Sequence, residues 1–186
     1  LGDIFDIRNG YTPSKNESEY WDSGSIPWFR MEDIRKQGRI LTDSIQHITH
    51  KAVKGGKLFP ANSVIISTTA TIGEHALITV DALTNQQITC LTLKPLFKNK
   101  FIVKFVFYYC YILGEWCRKN VNIGGGLQII SSNELKKFEF PIPTLEEQNR
   151  IVSILDRFDT LVNDIKQGLP AEIAARQKQY EYYRDK

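Results

Sequence analysis

The sequence is short of cysteine, with only three residues, Cys90, Cys110 and Cys117, all in apolar surroundings. An odd number in such contexts excludes a disulfide framework and reads as buried thiols of a reducing compartment, with the cytoplasm as the expected location. Long hydrophobic runs are also lacking. The longest, Phe101 to Leu113, is broken by Lys104 and falls short of the roughly 20 residues that span a bilayer, so no membrane role is expected. No signal peptide is visible. The chain opens at Leu1 rather than Met, and residues upstream are expected to be missing. Glycine-rich nucleotide motifs are absent: there is no Gly-x-Gly-x-x-Gly, Gly55-Gly56-Lys57 lacks phosphate-loop spacing, and no Gly-x-Ser-x-Gly elbow occurs. His47, His50 and His75 do not combine with the cysteines at zinc-type spacing, so neither metal nor cofactor is expected. Charge of one sign is scarce too, because 24 Lys+Arg against 21 Asp+Glu leave a net +3. Nucleic acid is permitted by that balance, not demanded by it.

What is present fits one ordinary globular domain with an appendage: 186 residues, 42% of them apolar, which excludes disorder and collagen-like repeats. The pattern changes at Pro141-Ile-Pro143. Before it, Ser63-Val-Ile-Ile-Ser-Thr, His75-Ala-Leu-Ile-Thr-Val and Gln87-Ile-Thr-Cys-Leu-Thr-Leu read as strands bounded by turn residues. From Asn99 to Lys119, Ile102, Phe105, Val106, Tyr109, Ile112, Leu113 and Trp116 recur at helical spacing and predict one amphipathic helix packed on a sheet. After it, Thr144-Leu-Glu-Glu147 forms a capping box that starts a helix at Leu145. Ile151, Ile154, Leu155, Phe158, Leu161, Val162 and Ile165 then line one face, which demands a partner helix. Gly168 and Pro170 predict a stop after about 23 residues, roughly 35 Å, and a second helix from about Pro170. The expected fold class is therefore α+β: a globular head over 1–143 with a twisted β-rich core, then a helical arm over 144–186.

Among polar residues, Lys51, Lys54 and Lys57 crowd one segment and Arg118 and Lys119 end the predicted helix, a distribution suited to phosphates. Ser67-Thr-Thr-Ala-Thr-Ile-Gly73 and Asn85-Gln-Gln87 put uncharged polar groups at strand ends, where they can face base edges or merely cap turns. Gly124-Gly-Gly126 reads as a turn into a strand or a phosphate cradle.

The ordered set Gly10-Tyr-Thr-Pro-Ser14, Tyr20-Trp-Asp-Ser-Gly-Ser-Ile-Pro-Trp28, Ser67 to Gly73, Asn85-Gln-Gln87 and Phe140-Pro-Ile-Pro-Thr-Leu-Glu-Glu-Gln148 resembles the specificity subunits of type I restriction-modification systems over nearly the whole chain. Arg176-Gln-Lys-Gln-Tyr-Glu-Tyr-Tyr-Arg184 is similar to that family's helical segment. Thr69 stands where the family often has Arg. The resemblance implies a non-catalytic, cofactor-free target recognition domain that reads one part of a split duplex DNA sequence, joined to a spacer helix. It also implies methyltransferase subunits as direct partners, restriction or translocase subunits as indirect ones, and a second recognition half. Family members usually hold two such units per chain and this sequence shows one, so a second copy of the chain is the expected partner of the apolar stripe. Glu147, Arg150, Arg157, Asp164 and Lys166, with Arg176, Tyr180 and Tyr183, are then left to receive the methyltransferase.

For this role Ser14, Lys15, Arg30, Thr69, Thr71, Gln86, Gln87 and Gln128 are the expected base readers, since amides pair with adenine and cations with guanine. Lys51, Lys54, Lys57, Arg118 and Lys119 are the expected phosphate contacts. Two alternatives remain. One is a recognition fragment of a larger single-chain DNA methyltransferase, although no Asn/Asp-Pro-Pro-Tyr/Phe motif is present; the other is a coiled-coil adaptor whose head binds protein.

Overall fold

A computed structural model describes residues 1–124 and 127–184. In chain order the elements are β1 (Phe5–Asn9), β2 (Ile26–Phe29), α1 (Met31–Gln37), β3 (Ile40–Leu41), β4 (His47–Ile48), β5 (Ser63–Ser67), β6 (His75–Ile78), β7 (Leu83–Thr84) and β8 (Ile88–Leu93). There follow α2 (Val103–Lys119), β9 (Asn122–Gly124), β10 (Leu127–Ile129), α3 (Ser132–Lys136) and α4 (Leu145–Arg184). Strands and helices are mixed and segregated, so the class is α+β.

The centre is a five-stranded sheet of order β1-β8-β5-β6-β3, antiparallel except that β3 runs parallel to β6. Both faces are covered, so β5 is buried at every position and reads as a continuous apolar run rather than an alternation. The two-residue period of the strand still sorts its side chains. Val64 and Ile66, with Leu91 and Leu93 of β8, face α2 and join Phe101, Phe105, Leu113, Phe138 and Phe140. Ile65, with Ile78, Ile88 and Cys90, faces the other way and joins Trp28, Phe29, Ile34, Leu41, Ile48 and Phe59. A smaller sheet, β4-β2-β7, closes that second core. The three thiols are buried within these cores, and burial pushes Cys90 up to about 11 and Cys117 up to about 12, far from nucleophilic use.

The three predicted strands and the amphipathic helix are all present, with one shift. Residues Pro95–Lys100 form a 3₁₀ turn, and α2 begins only at Val103. Pro95 opens that turn, and the tighter winding is the usual short connector ahead of a helix. The arm departs further from expectation. It is one helix of 40 residues through Gly168 and Pro170, not two. Glu172, Ala174, Ala175, Arg176, Gln177, Lys178 and Gln179 are strong helix formers, and the Glu172–Arg176 pair at 2.9 Å adds local support. Their summed preference outweighs the one hydrogen bond that Pro170 cannot make. At the helix start only half of the capping box forms: Thr144 Oγ1 accepts from the Glu147 amide at 3.2 Å, while the Glu147 carboxylate turns to Arg150.

The first three turns of α4 lie on α2. Val152 is buried and Ile151 packs against the α2 core, while Lys104 and Tyr108 donate to Asp156 at 2.7 and 2.5 Å. Burial alone raises the Asp156 carboxyl, but those two hydrogen bonds outweigh it and hold the group below its ordinary value. A carboxyl depressed in the folded state stabilises above its unfolded pKa of about 3.9 and loses that contribution as pH falls through the lower folded value. Among the described residues, no helix is long and apolar enough to cross a membrane.

Helix α2 meets the 72–73 loop at Gly114, where a Cβ would sit 2.5 Å from the Gly73 carbonyl oxygen; Gly73 itself has φ +87°. Gly114→Ala should therefore destabilise by about 1 to 3 kcal/mol, against the gain of about 1 kcal/mol that alanine brings to an unencumbered helix site. Urea unfolding measures the sign, and a stabilised variant would show that the loop yields freely. Thermal stability should also be flat with respect to Asp156 across neutral pH, and Asp156→Asn should flatten only the acid limb below about pH 4.

Candidate nucleic-acid interface

Register decides which loops share one end of the sheet. Asn9 of β1 pairs with Thr89, Ser67 of β5 with Ile88, and Phe29 of β2 with Thr84. The segments 10–15, 30, 68–74 and 85–87 consequently leave the molecule together. Main-chain bonds then weld them. The Gly10 amide donates to Ile88 O at 2.9 Å, Tyr11 to Thr84 O at 2.8 Å, Asn85 to Phe29 O at 3.1 Å and Thr68 to Gln87 O at 2.9 Å. The β9–β10 hairpin joins from the far side, with the Ile130 amide on Thr68 O at 3.0 Å and a bridge between Thr69 and Ile129.

With the backbone satisfied internally, the side chains remain available. Gln86 is exposed and accepts from Thr12 Oγ1 at 2.6 Å. Gln87 is held by Asn85, whose amide donates to it at 3.2 Å. Thr69 and Thr71 shape a tight turn in which Ala70 takes φ +65°, and Thr71 donates to Ser67 Oγ at 3.3 Å. Gln128 is exposed on β10, one residue from the Thr69 bridge.

A cationic cluster adjoins these amides. Lys15 Nζ lies 3.1 Å above the Trp21 ring, 4.9 Å from that of Trp28 and 3.4 Å from Gln46 Oε1. The two indoles meet edge to face at 5.1 Å and are anchored through Trp21 Nε1 to Ser14 O and Trp28 Nε1 to Tyr11 O. The Arg30 guanidinium is 5.6 Å from the Trp28 ring and donates to Glu32, while its Nε is buried without a partner among the described residues. Burial first, and Arg30 second, lower the Lys15 ammonium from its ordinary value. Two like charges are thus held side by side on aromatic faces, an arrangement that favours an anion or the acceptor edge of guanine.

The five expected phosphate contacts are more dispersed. The Lys54 amide donates to the Tyr11 hydroxyl at 2.6 Å and its Nζ stands 4.8 Å from that ring, which places it beside the cluster. Lys51 pairs with Glu19 at 2.7 Å. Lys57 lines a separate cavity with Asp6, Arg8 and Asp81. Arg118 donates to Ile72 O at 3.0 Å and to Glu115 at 2.6 Å, so it braces the 69–73 turn from beneath. Lys119 is exposed at the end of α2. Gly125 and Gly126 lie outside the described residues; Gly124 ends β9 and pairs with Leu127 of β10. Sequence reasoning missed Thr12, Trp21 and Gln46 as parts of this surface and Trp28 as its buried support. The two tryptophans in turn-rich segments were the available signal, whereas nothing local marks Gln46.

A second surface is the stripe of α4, which the structure divides. Ile151 and Leu155 are half-buried against the head, whereas Ile154, Phe158, Leu161 and Val162 remain 40%, 62%, 56% and 45% exposed. The side chains of Ile165, Asp164, Lys166, Tyr180 and Tyr183 lie outside the described residues. Tyr111 and Ile112 of α2 continue the apolar surface, forming with Leu155, Phe158 and Val162 one side-by-side groove.

A family model described as type I restriction modification DNA specificity domain matches residues 1–175. The EcoprrI specificity subunit of Escherichia coli is 52% identical over 100% of this chain and 48% of its own length. The EcoR124I/EcoR124II specificity subunit of the same organism is 43% identical, again over the whole chain and 46% of its own length. The chain thus spans about half the length of these curated relatives. The HsdS subunit from Thermoanaerobacter tengcongensis shares the fold, with a TM-score of 0.67 at 23% identity over 90% of this chain and 38% of that one. With the family model matched over residues 1–175 and a relative 52% identical along the whole chain, the chain belongs to the type I restriction-modification DNA specificity family.

Proposed function

We propose that residues 1–143 form a target recognition head that reads one half of a bipartite duplex DNA sequence, and that residues 144–186 form the arm that assembles it. The chain itself performs no chemistry; the methyltransferase subunits it docks through its helices do, and restriction or translocase subunits join through them, in the cytoplasm. The observation that carries this reading is the cluster of Ser14, Lys15, Arg30, Thr69, Thr71, Gln86, Gln87 and Gln128 on loops welded at one sheet end, in a chain of this family.

Rigid loops with free amides and cations suit base reading because little ordering entropy is lost on binding. Phosphates fall to Lys54 and Lys119 directly. Lys51 exchanges Glu19 for phosphate at little cost, since exposed ion pairs contribute little. Lys57 and Arg118 serve at the margin, Arg118 by giving up Glu115. The exposed residues Ile154, Phe158, Leu161 and Val162, together with Ile165, cover the equivalent stripe of a second copy or of a second recognition half. Each contributes on the order of 1.5 to 3 kcal/mol if fully buried.

Methylome sequencing of cells with and without the gene should reveal one bipartite motif that depends on it. On duplexes carrying that motif, Lys15→Met should relax preference at one base pair by about 1 to 3 kcal/mol, whereas Lys54→Met should weaken all sequences alike and make the salt slope shallower by about 0.9. Uniform weakening by both variants would demote Lys15 to a phosphate contact. In sedimentation, the chain should associate at micromolar concentration and Phe158→Asp should dissociate it; a strict monomer unaffected by that change would leave the stripe without its proposed partner.

A further inference from the structure

The junction between head and arm is held by two polar clamps on one helical row. Gln148 is fully buried, at 0% exposure, an unusual place for an amide unless every group is matched. Its Oε1 accepts the Ile102 amide at 2.8 Å, and its Nε2 donates to Lys100 O at 2.8 Å and to Pro143 O at 2.9 Å. Those three partners belong to the segment leading into α2 and the segment leading into α4. Eight residues on, Asp156 accepts from Lys104 and Tyr108. Gln148, Val152 and Asp156 repeat every four residues and so lie on one face. The contacts advance along both helices together, so α2 and α4 run in the same direction.

Apolar packing between two helices is tolerant of small slides and rotations, because ridges and grooves recur each turn and are not directional. Hydrogen bonds to fixed backbone groups at one end, and a two-pronged carboxylate contact about 12 Å further on, remove that freedom. The lever is long. An arm of 40 residues rises about 60 Å, so a tilt of roughly 10° at its root moves its tip by about 10 Å, or about three base pairs at ~3.4 Å each.

We propose that Gln148, seconded by Asp156 and Tyr108, is a positioning residue that sets the spacer length accepted between the two half-sites, by fixing the angle at which the head leaves the arm. This rests on the bipartite reading given above. The clamp touches no base, so it acts on spacing and leaves the half-site bases unchanged.

Methylome sequencing of cells carrying the intact gene with Gln148→Ala tests it. The same half-site bases should appear, with the share of methylated sites whose spacer is longer or shorter by a base pair rising roughly tenfold, a ratio equivalent to about 1.4 kcal/mol of lost discrimination. Tyr108→Phe, which keeps the ring and removes the donor to Asp156, should shift the spacer distribution in the same direction, and it decides alone if Gln148→Ala does not accumulate. A wild-type bipartite motif that either accumulating variant methylates with the native spacer only would overturn the clamp while leaving the reading intact. Absence of any bipartite motif in the wild type would overturn both.

Discussion

The register of β5 against β8 governs the rest of the molecule. Both faces of β5 are buried and apolar, so hydrophobicity alone does not forbid a one-residue slip as it would in a half-exposed strand. Buried hydroxyls supply the missing discrimination. Ser63 Oγ meets Thr92 Oγ1 at 2.9 Å at one end of the ladder, and Thr68 Oγ1 meets Thr89 Oγ1 at 3.0 Å at the other. A slip would strand these groups in the core at roughly 1 to 3 kcal/mol each. From that register it follows that Ser67 ends opposite Ile88, that the Thr68 amide reaches Gln87 O, and that the 69–73 turn stands beside the Asn85-Gln-Gln87 loop.

The same logic separates scaffold from proposed reader within each loop. In the 85–87 loop, Asn85 is buried and spends its amide on Gln87 and its main-chain N–H on Phe29, leaving Gln86 pointing outward. In the 11–15 loop, Tyr11 bonds Ala52 and Lys54 through its hydroxyl while Lys15 rides above the tryptophans. In each loop one side chain is bound into the scaffold while another is exposed. An interface built this way can change its readers one at a time without disturbing the sheet, which is how function is grafted on a fold.

The parts legible in the sequence are those whose signal is local. Strands β5, β6 and β8 are apolar runs between turn residues, and α2 carries its own periodicity. By contrast, Gly168 and Pro170 give a strong local stop signal that flanking helix formers override across the whole of α4. In the sequence Gln148 reads only as the end of a motif, because a glutamine one turn into a helix looks solvent-facing; its burial depends on Lys100, Ile102 and Pro143 being delivered there by other segments. The recognition residues divide similarly. Gln86, Gln87, Thr69 and Thr71 were legible as polar groups at strand ends. The pairing of Lys51 with Glu19, 32 residues away, was not, nor was the convergence of Trp21 and Trp28 under Lys15.

The arm's apolar stripe is only partly taken up by the head, and helical geometry explains the division. Gln148, Val152 and Asp156 centre the face laid on α2, with Ile151 and Leu155 at its border. At about 100° per residue, Ile154, Phe158 and Leu161 fall on a face rotated by more than a right angle from Val152, and Val162 lies between. All four are at least 40% exposed. A partner helix seated on Phe158 and Leu161 therefore meets the side of α4 that the head leaves open, and reaches Tyr111 and Ile112 only along the shared border. The head and the proposed partner of the arm thus call on different atoms of α4, so the proposed angle at Gln148 is compatible with pairing.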